Sequence, residues 1–175
     1  SVSNSGFRQR AGAQMRSIEH DNRELAYELK RKQDLKLLGL EFPFYTFEDK
    51  DYADFITAIF NILEVRRIDQ QTVIEEELGE CNEVIFVEKG QYAMGFQINK
   101  TAHYKINFRE GSIIHAFNVL YECRSQYMIK ASTDMECNTV KKTALKEILL
   151  QHPNFEKALK QNAIRVYNLK IHQPI

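Results

Sequence analysis

Three scarcities narrow the field before any motif is considered. The 175-residue chain carries no net charge, because 24 lysines and arginines cancel 24 aspartates and glutamates. A balanced chain has no bulk attraction for nucleic acid or an anionic lipid surface. Its basic residues are interleaved with acids throughout, so no stripe suited to nucleic acid appears. Long apolar runs are missing as well. None approaches the ~20 residues that a bilayer-spanning helix needs, and the opening SVSNSGFRQRAGAQ has no signal-peptide stretch. That opening also lacks an initiator Met, which fits a sequence that begins in mid-protein. Cysteines are few: Cys81, Cys123 and Cys137. An odd, widely spaced set reads as reduced thiols in a cytosolic setting, with neither a disulfide framework nor zinc-ligand spacing.

The usual signatures of catalysis are also absent. The histidines, His20, His103, His115, His152 and His172, form no HxH or HExxH pair, and no metal site is expected. No glycine-rich loop leads into Lys-Ser or Lys-Thr, no GxSxG occurs, and no cysteine has a nucleophile's local signature. The carboxylate run Glu75-Glu76-Glu77 reads as a solvated strand end or turn. The chain is therefore expected not to be an enzyme and to require no cofactor.

What remains is an ordinary globular balance, 43% hydrophobic and 27% charged, in a chain long enough to bury a core. The order is helical, then β-rich, then helical. Residues 1–12 are a loose lead-in. Residues 13–64 form a helical linker, rich in Glu, Lys, Arg, Leu and Ala from Gln14 to about Leu40. Ala11, Met15, Ile18, Asn22, Leu25 and Leu29 follow a 4-3-4-3-4 spacing, the seam period of a coiled coil, until Lys32 and Lys36 interrupt it. The pattern suits either an amphipathic helix lying on its own domain or a self-association seam. Phe42-Pro43-Phe44 breaks this helix. A second spans Asp51 to Glu64, with Tyr52, Phe55, Ile56, Ile59, Phe60 and Leu63 on one face. Asp49 and Asp51 place negative charge at its positive end.

The apolar period then changes to two. Val84–Val87, Tyr92–Ile98, Tyr104–Phe108 and Tyr127–Ala131 alternate or run apolar, separated by turn residues such as Lys89-Gly90, Asn99-Lys100-Thr101 and Glu110-Gly111. Short strands at roughly ten-residue intervals predict a sandwich or jelly roll. The β-roll is assigned to residues 65–141. C-terminal helices occupy 142–175, with Thr143 capping a short one and Asn154 capping a longer one after Pro153. Phe155, Ala158, Leu159, Ala163, Val166 and Tyr167 share a face of the longer helix.

From Thr72 to about Leu159 the order of motifs resembles the cyclic-nucleotide-binding domain, in the divergent form carried by cyclic-nucleotide-regulated cation and potassium channels. The residues that carry the resemblance are Gly79-Glu80, Glu83-Val-Ile-Phe-Val-Glu-Lys-Gly90, Tyr92-Ala-Met-Gly-Phe96, the Phe108-Arg-Glu-Gly111 turn, the segment Ser112–Arg124 and the strand Ser125–Ala131. The resemblance implies an α+β fold, an antiparallel β jelly roll flanked by linker helices and C-terminal helices. It also implies a phosphate cassette within residues 111–125. The family's Phe-Gly-Glu start falls on Ile114, His115 and Ala116, so the glycine and the ribose-binding Glu are both replaced. Arg124 and Ser125 fall near the family's Arg-Thr or Arg-Ser pair, with the following strand one residue out of step. The resemblance makes cAMP or cGMP a possible ligand, with Arg124 meeting the phosphate or, alternatively, forming a rim pair with Glu122 or a neighbouring subunit. Phe117, Tyr121, Tyr127 and Met128 are large enough to fill the cassette themselves. The implied partners are other subunits of a homo-oligomer, as a tetramer or a coiled-coil dimer. The implied location is the cytoplasmic side of a membrane, reached only through an upstream pore domain.

Overall fold

The computed structural model describes residues 48–171, with side chains through residue 165. The seam from Ala11 to Leu29, the helix to Leu40 and the Phe42-Pro43-Phe44 break lie outside the described residues. The first described helix, α1, runs Lys50–Ile62, and the Asp49 side chain caps it by accepting from the Asp51 N–H. It ends two residues before the expected Glu64, because Glu64 already pairs with Thr139 in a sheet.

Eight strands follow, with one helix inserted: β1 (Glu64–Ile68), β2 (Val73–Glu75), β3 (Glu83–Lys89), β4 (Tyr92–Ile98), β5 (Thr101–Phe108), β6 (Ile113–Ile114), α2 (Ala116–Tyr121), β7 (Met128–Ala131) and β8 (Met135–Lys141). The chain closes with α3 (Lys142–Gln151) and α4 (Pro153–Ile171). The strands form two four-stranded sheets, ordered β1-β8-β3-β6 and β2-β7-β4-β5, and every pairing is antiparallel. Two facing antiparallel sheets connected in this way are a jelly roll.

The core between the sheets follows from side-chain alternation. Ile85 and Val87 of β3, Tyr92 of β4, Ile114 of β6, Ile129 and Ala131 of β7, and Met135 and Cys137 of β8 share one buried cluster. Val84 and Phe86 occupy the opposite face of β3 and are buried too. That explains why β3 reads as a continuous apolar run rather than an alternation. At the β3–β4 turn Gly90 has φ +102, and a Cβ there would lie 2.5 Å from the Asp134 carbonyl. Only glycine fits both conditions.

A second apolar layer lies among the helices. Phe55 of α1 stacks on Phe155 of α4 at 4.7 Å, with His152 edge-on to Phe55 at 5.6 Å. Tyr52, Ile56 and Ile59 of α1 and Leu145, Ile148 and Leu149 of α3 are buried. Two expected caps differ from those observed. Thr143 lies inside α3, whose N-cap is Lys141, with no side-chain bond. Asn154 lies inside α4, because Pro153 takes the first helical position, where its missing N–H costs nothing. Among the described residues, no helix is long and apolar enough to cross a membrane.

Candidate functional site

The segment between β6 and β7 is where the sequence places its cassette, and its geometry starts from one strained residue. His115 follows the two-residue β6 with φ 66 and ψ 11, a left-handed conformation unusual for a residue bearing a Cβ. This turn directs the chain into α2 and the imidazole into the protein. The His115 side chain is only 4% exposed. Its Nε2 is buried with no hydrogen-bond partner, the single such side-chain atom among the described residues. A hydrogen bond with the Glu83 backbone favours the ring's protonated form, but desolvation outweighs it and pulls the pKa down to about 4. His115 is therefore neutral near pH 7. With Nε2 unpartnered, that backbone bond engages Nδ1, which leaves the Nε2 lone pair facing inward.

Facing Nε2 is the Glu75 carboxylate at the end of β2, with Oε2 3.9 Å away. That distance is too long for a hydrogen bond. The other oxygen, Oε1, accepts from the Glu76 N–H at 3.2 Å. Burial raises the Glu75 pKa, opposed by that backbone bond. Glu75 is thus the half-buried member of a carboxylate run whose other two residues are exposed, as the solvated strand end predicted for all three would be. Cys81 completes the corner. It is buried, and desolvation, with the Glu75 charge second, pushes its thiol up to about 12. A ring nitrogen of His115, the Cys81 sulfur and a Glu75 oxygen all lie within 4.8 Å of one another. Gly79 makes room for this arrangement, since a Cβ there would meet Glu75 Oε1 at 1.8 Å. The corner opens onto a cavity of about 480 Å³, lined among others by Glu80, Asn82, Lys141, Lys142 and Thr143.

The remaining cassette residues take positions the sequence only partly anticipates. Ile114 is buried in the roll's core. Ala116 opens α2 and offers no side-chain acceptor. Arg124 faces outward: Nη1 donates to the Leu78 carbonyl at 2.9 Å and Nη2 to Glu80 Oε1 at 3.0 Å, with its side chain 61% exposed. The expected rim pair with Glu122 does not form, because Glu122 instead holds Lys146 and Lys142. Ser125 is the buried neighbour, and its hydroxyl donates to the Tyr127 carbonyl at 2.7 Å.

The four bulky candidates divide. Met128 is buried on β7, opposite Gly95, and Tyr127 is half-buried. Phe117 and Tyr121 belong to α2. They pack on each other at 4.8 Å on α2, and the Tyr121 hydroxyl donates to the Lys160 carbonyl at 3.3 Å. The Lys160 ammonium also lies over the Tyr121 ring at 5.7 Å. Tyr121 is thus a link between the cassette helix and α4.

No family model matches the chain, and no curated protein matches it. Solved structures do. A protein from Geobacter metallireducens described as a cyclic nucleotide-binding protein aligns over 75% of this chain and 91% of its own, at 14% identity and a TM-score of 0.58. The regulatory domain of Toxoplasma gondii PKA, crystallised with cAMP, aligns over 69% of this chain at 16% identity and a TM-score of 0.54. This chain covers 45% of that domain's length. The N-terminal domain of a transcriptional regulator from Streptomyces coelicolor aligns over 69% of this chain and 81% of its own, at 12% identity and a TM-score of 0.53. At such identities the likeness establishes the fold, the jelly roll of cyclic-nucleotide-binding domains.

Proposed function

We propose that the chain is a regulatory domain of the cyclic-nucleotide-binding type, attached to a cation channel, whose affinity for nucleotide is weak or lost. The observation that carries this reading is the outward Arg124, bonded to Leu78 and Glu80, combined with the imidazole of His115 at the cassette's glycine position. A cradle for a cyclic phosphate needs close backbone approach and a guanidinium aimed at the phosphate oxygens. Here the Cβ and ring of His115 crowd the first requirement, and the Arg124 guanidinium is already engaged by the Leu78 carbonyl and Glu80. Ala116 also removes the acceptor that the resemblance assigns to the ribose hydroxyl. Each missing charged partner is worth ~1.5–3 kcal/mol, or one to two decades of affinity.

The regulatory part of the proposal is supported by α2 and α4, which are joined through Tyr121 and Lys160. Any occupant that moves the cassette helix would move α4 with it. It can shift such an equilibrium only by its differential affinity for the two arrangements. Attachment to a channel rests on the resemblance of residues 13–64 to the linker between pore and domain, which gathers subunits into an oligomer. A second reading, a scaffold domain that keeps the fold without sensing nucleotide, is favoured by the same lost binding groups.

A thermal-shift titration with cAMP and cGMP tests the sensing step. Nucleotide at a hundredfold its Kd adds ~2.7 kcal/mol of stability, and no shift is expected at tens of micromolar. A shift there overturns the weak-affinity reading. Sedimentation with and without residues 1–40 tests assembly, and a monomer in both cases removes the oligomer. A parent gene lacking transmembrane sequence upstream of Ser1 would leave the scaffold reading in place of the channel.

A further inference from the structure

We propose that Glu75, Cys81 and His115 form a binding site for a single divalent metal ion of the zinc type, closed by water from the adjacent cavity. This inference does not depend on the channel reading or on nucleotide binding.

Two independent observations meet at this corner. One is the donor cluster, an imidazole nitrogen, a sulfur and a carboxylate oxygen within 4.8 Å of one another. The other is the unpartnered Nε2 of His115, in a residue only 8% exposed, aimed at a carboxylate oxygen 3.9 Å away. A neutral imidazole lone pair facing a carboxylate sets acceptor against acceptor, and both gain from a cation placed between them.

The donor set indicates which cation. One nitrogen, one sulfur and one oxygen suit Zn²⁺, whereas calcium and magnesium require oxygen throughout. Zinc binds these donors at about 2.0–2.3 Å, so tetrahedral ligands sit roughly 3.3–3.8 Å apart. The cluster reaches that spacing with about an ångström of side-chain adjustment. Charge also balances: a thiolate and a carboxylate neutralise a divalent ion, and the Cys81 thiol proton leaves to solvent as the sulfur–metal bond forms. The backbone of Glu83, bonded to the His115 ring, would fix its tautomer as the outer partner of a ligating histidine does. Gly79 leaves the space that the Glu75 carboxylate occupies. The cavity supplies an entry path and a fourth, water-filled position.

Sequence spacing gave no hint of this, because the three ligands come from β2, the segment leading to β3, and the turn after β6. The test is a titration of the chelator-treated, reduced full chain with Co²⁺, followed by displacement with Zn²⁺. One equivalent of Co²⁺ is expected to give a thiolate charge-transfer absorption, which Zn²⁺ abolishes. His115→Gly and Cys81→Ser should each weaken binding by about a hundredfold or more, beyond the losses seen when only an outer partner is removed. Cys123→Ser, at an exposed thiol, should leave binding unchanged. His115→Gly is the deciding variant if Cys81→Ser fails to fold, because φ 66 suits glycine better than histidine. No thiolate band at one equivalent overturns the proposal. So does a band that survives Cys81→Ser, or affinity unchanged in His115→Gly.

Discussion

The helical layer around Phe55 and the corner around His115 are both buried, yet they are held in opposite ways. Phe55 is fully buried and Phe155 nearly so, and they stack on each other among aliphatic side chains. The contacts there are mainly between apolar and aromatic groups, with the His152 ring edge-on to Phe55, so burial of apolar surface stabilises it. At the other site a buried histidine and a buried thiol meet a half-buried carboxylate, and one polar atom has no partner. Removing polar groups from water without pairing them costs free energy. The comparison teaches that burial by itself does not mean stabilisation: one region is complete as built, and the other is poised to gain from a ligand.

The sharpest way to break that contrast is to truncate each side. Phe55→Ala should cost about 3–5 kcal/mol in urea unfolding, the usual range for a stacked core phenylalanine. A loss below 1 kcal/mol would mean the helical layer is not the packed region described. An ionisable group placed inside the apolar roll probes the same contrast. Desolvation pushes the Tyr92 phenol up to about 12 from an ordinary value of 10.0. Its stabilisation is whole below pH 10, where the unfolded chain also keeps the proton. It falls as pH rises toward 12, by roughly 3 kcal/mol in all. Stability measured across that window should fall less in Tyr92→Phe, and identical pH profiles would rule out this source.

In the polar corner the expected sign reverses. In the presence of chelator, His115→Gly should hold or raise stability by about 1 kcal/mol, because it relieves the left-handed turn and removes the unpartnered nitrogen. A drop of 2 kcal/mol or more would show that the imidazole packs like a core side chain. The smallest effect is expected at the rim. Glu80→Ala should change stability by no more than about 0.5 kcal/mol, as exposed ion pairs usually do, with no gain of nucleotide binding. A larger loss would make the Arg124–Glu80 pair structural.

The same contrast explains what the sequence discloses. The stretch 83–108 is legible, because Tyr92, Met94, Phe96 and Ile98 alternate cleanly and glycines or Asn-Lys mark the turns. The Phe55 face is legible through its helical spacing. Strand β1 is not, since Glu64-Val-Arg-Arg-Ile has one buried residue and reads as a charged loop. Strand β8 hides in the same way, its alternation carried by Met, Cys and Thr among polar residues. Two residues are too few for β6 to show any period. Within 111–125 the sequence does not tell which side chain faces inward: Ser125 is buried while Arg124 is exposed, and a one-residue shift would exchange the two. The corner of Glu75, Cys81 and His115 could not be read at all, because 40 residues separate its first and last members.

The most direct measurement is a calorimetric titration of the full chain with cAMP and with cGMP, beside a variant carrying His115→Gly and Ala116→Glu together. The natural chain should not saturate below roughly millimolar nucleotide, and the variant should bind at least about tenfold more tightly, since the restored charged partner is worth one to two decades. A low-micromolar Kd for the natural chain would show that its cassette still holds the cyclic phosphate, and would contradict the reading built on His115 and Arg124.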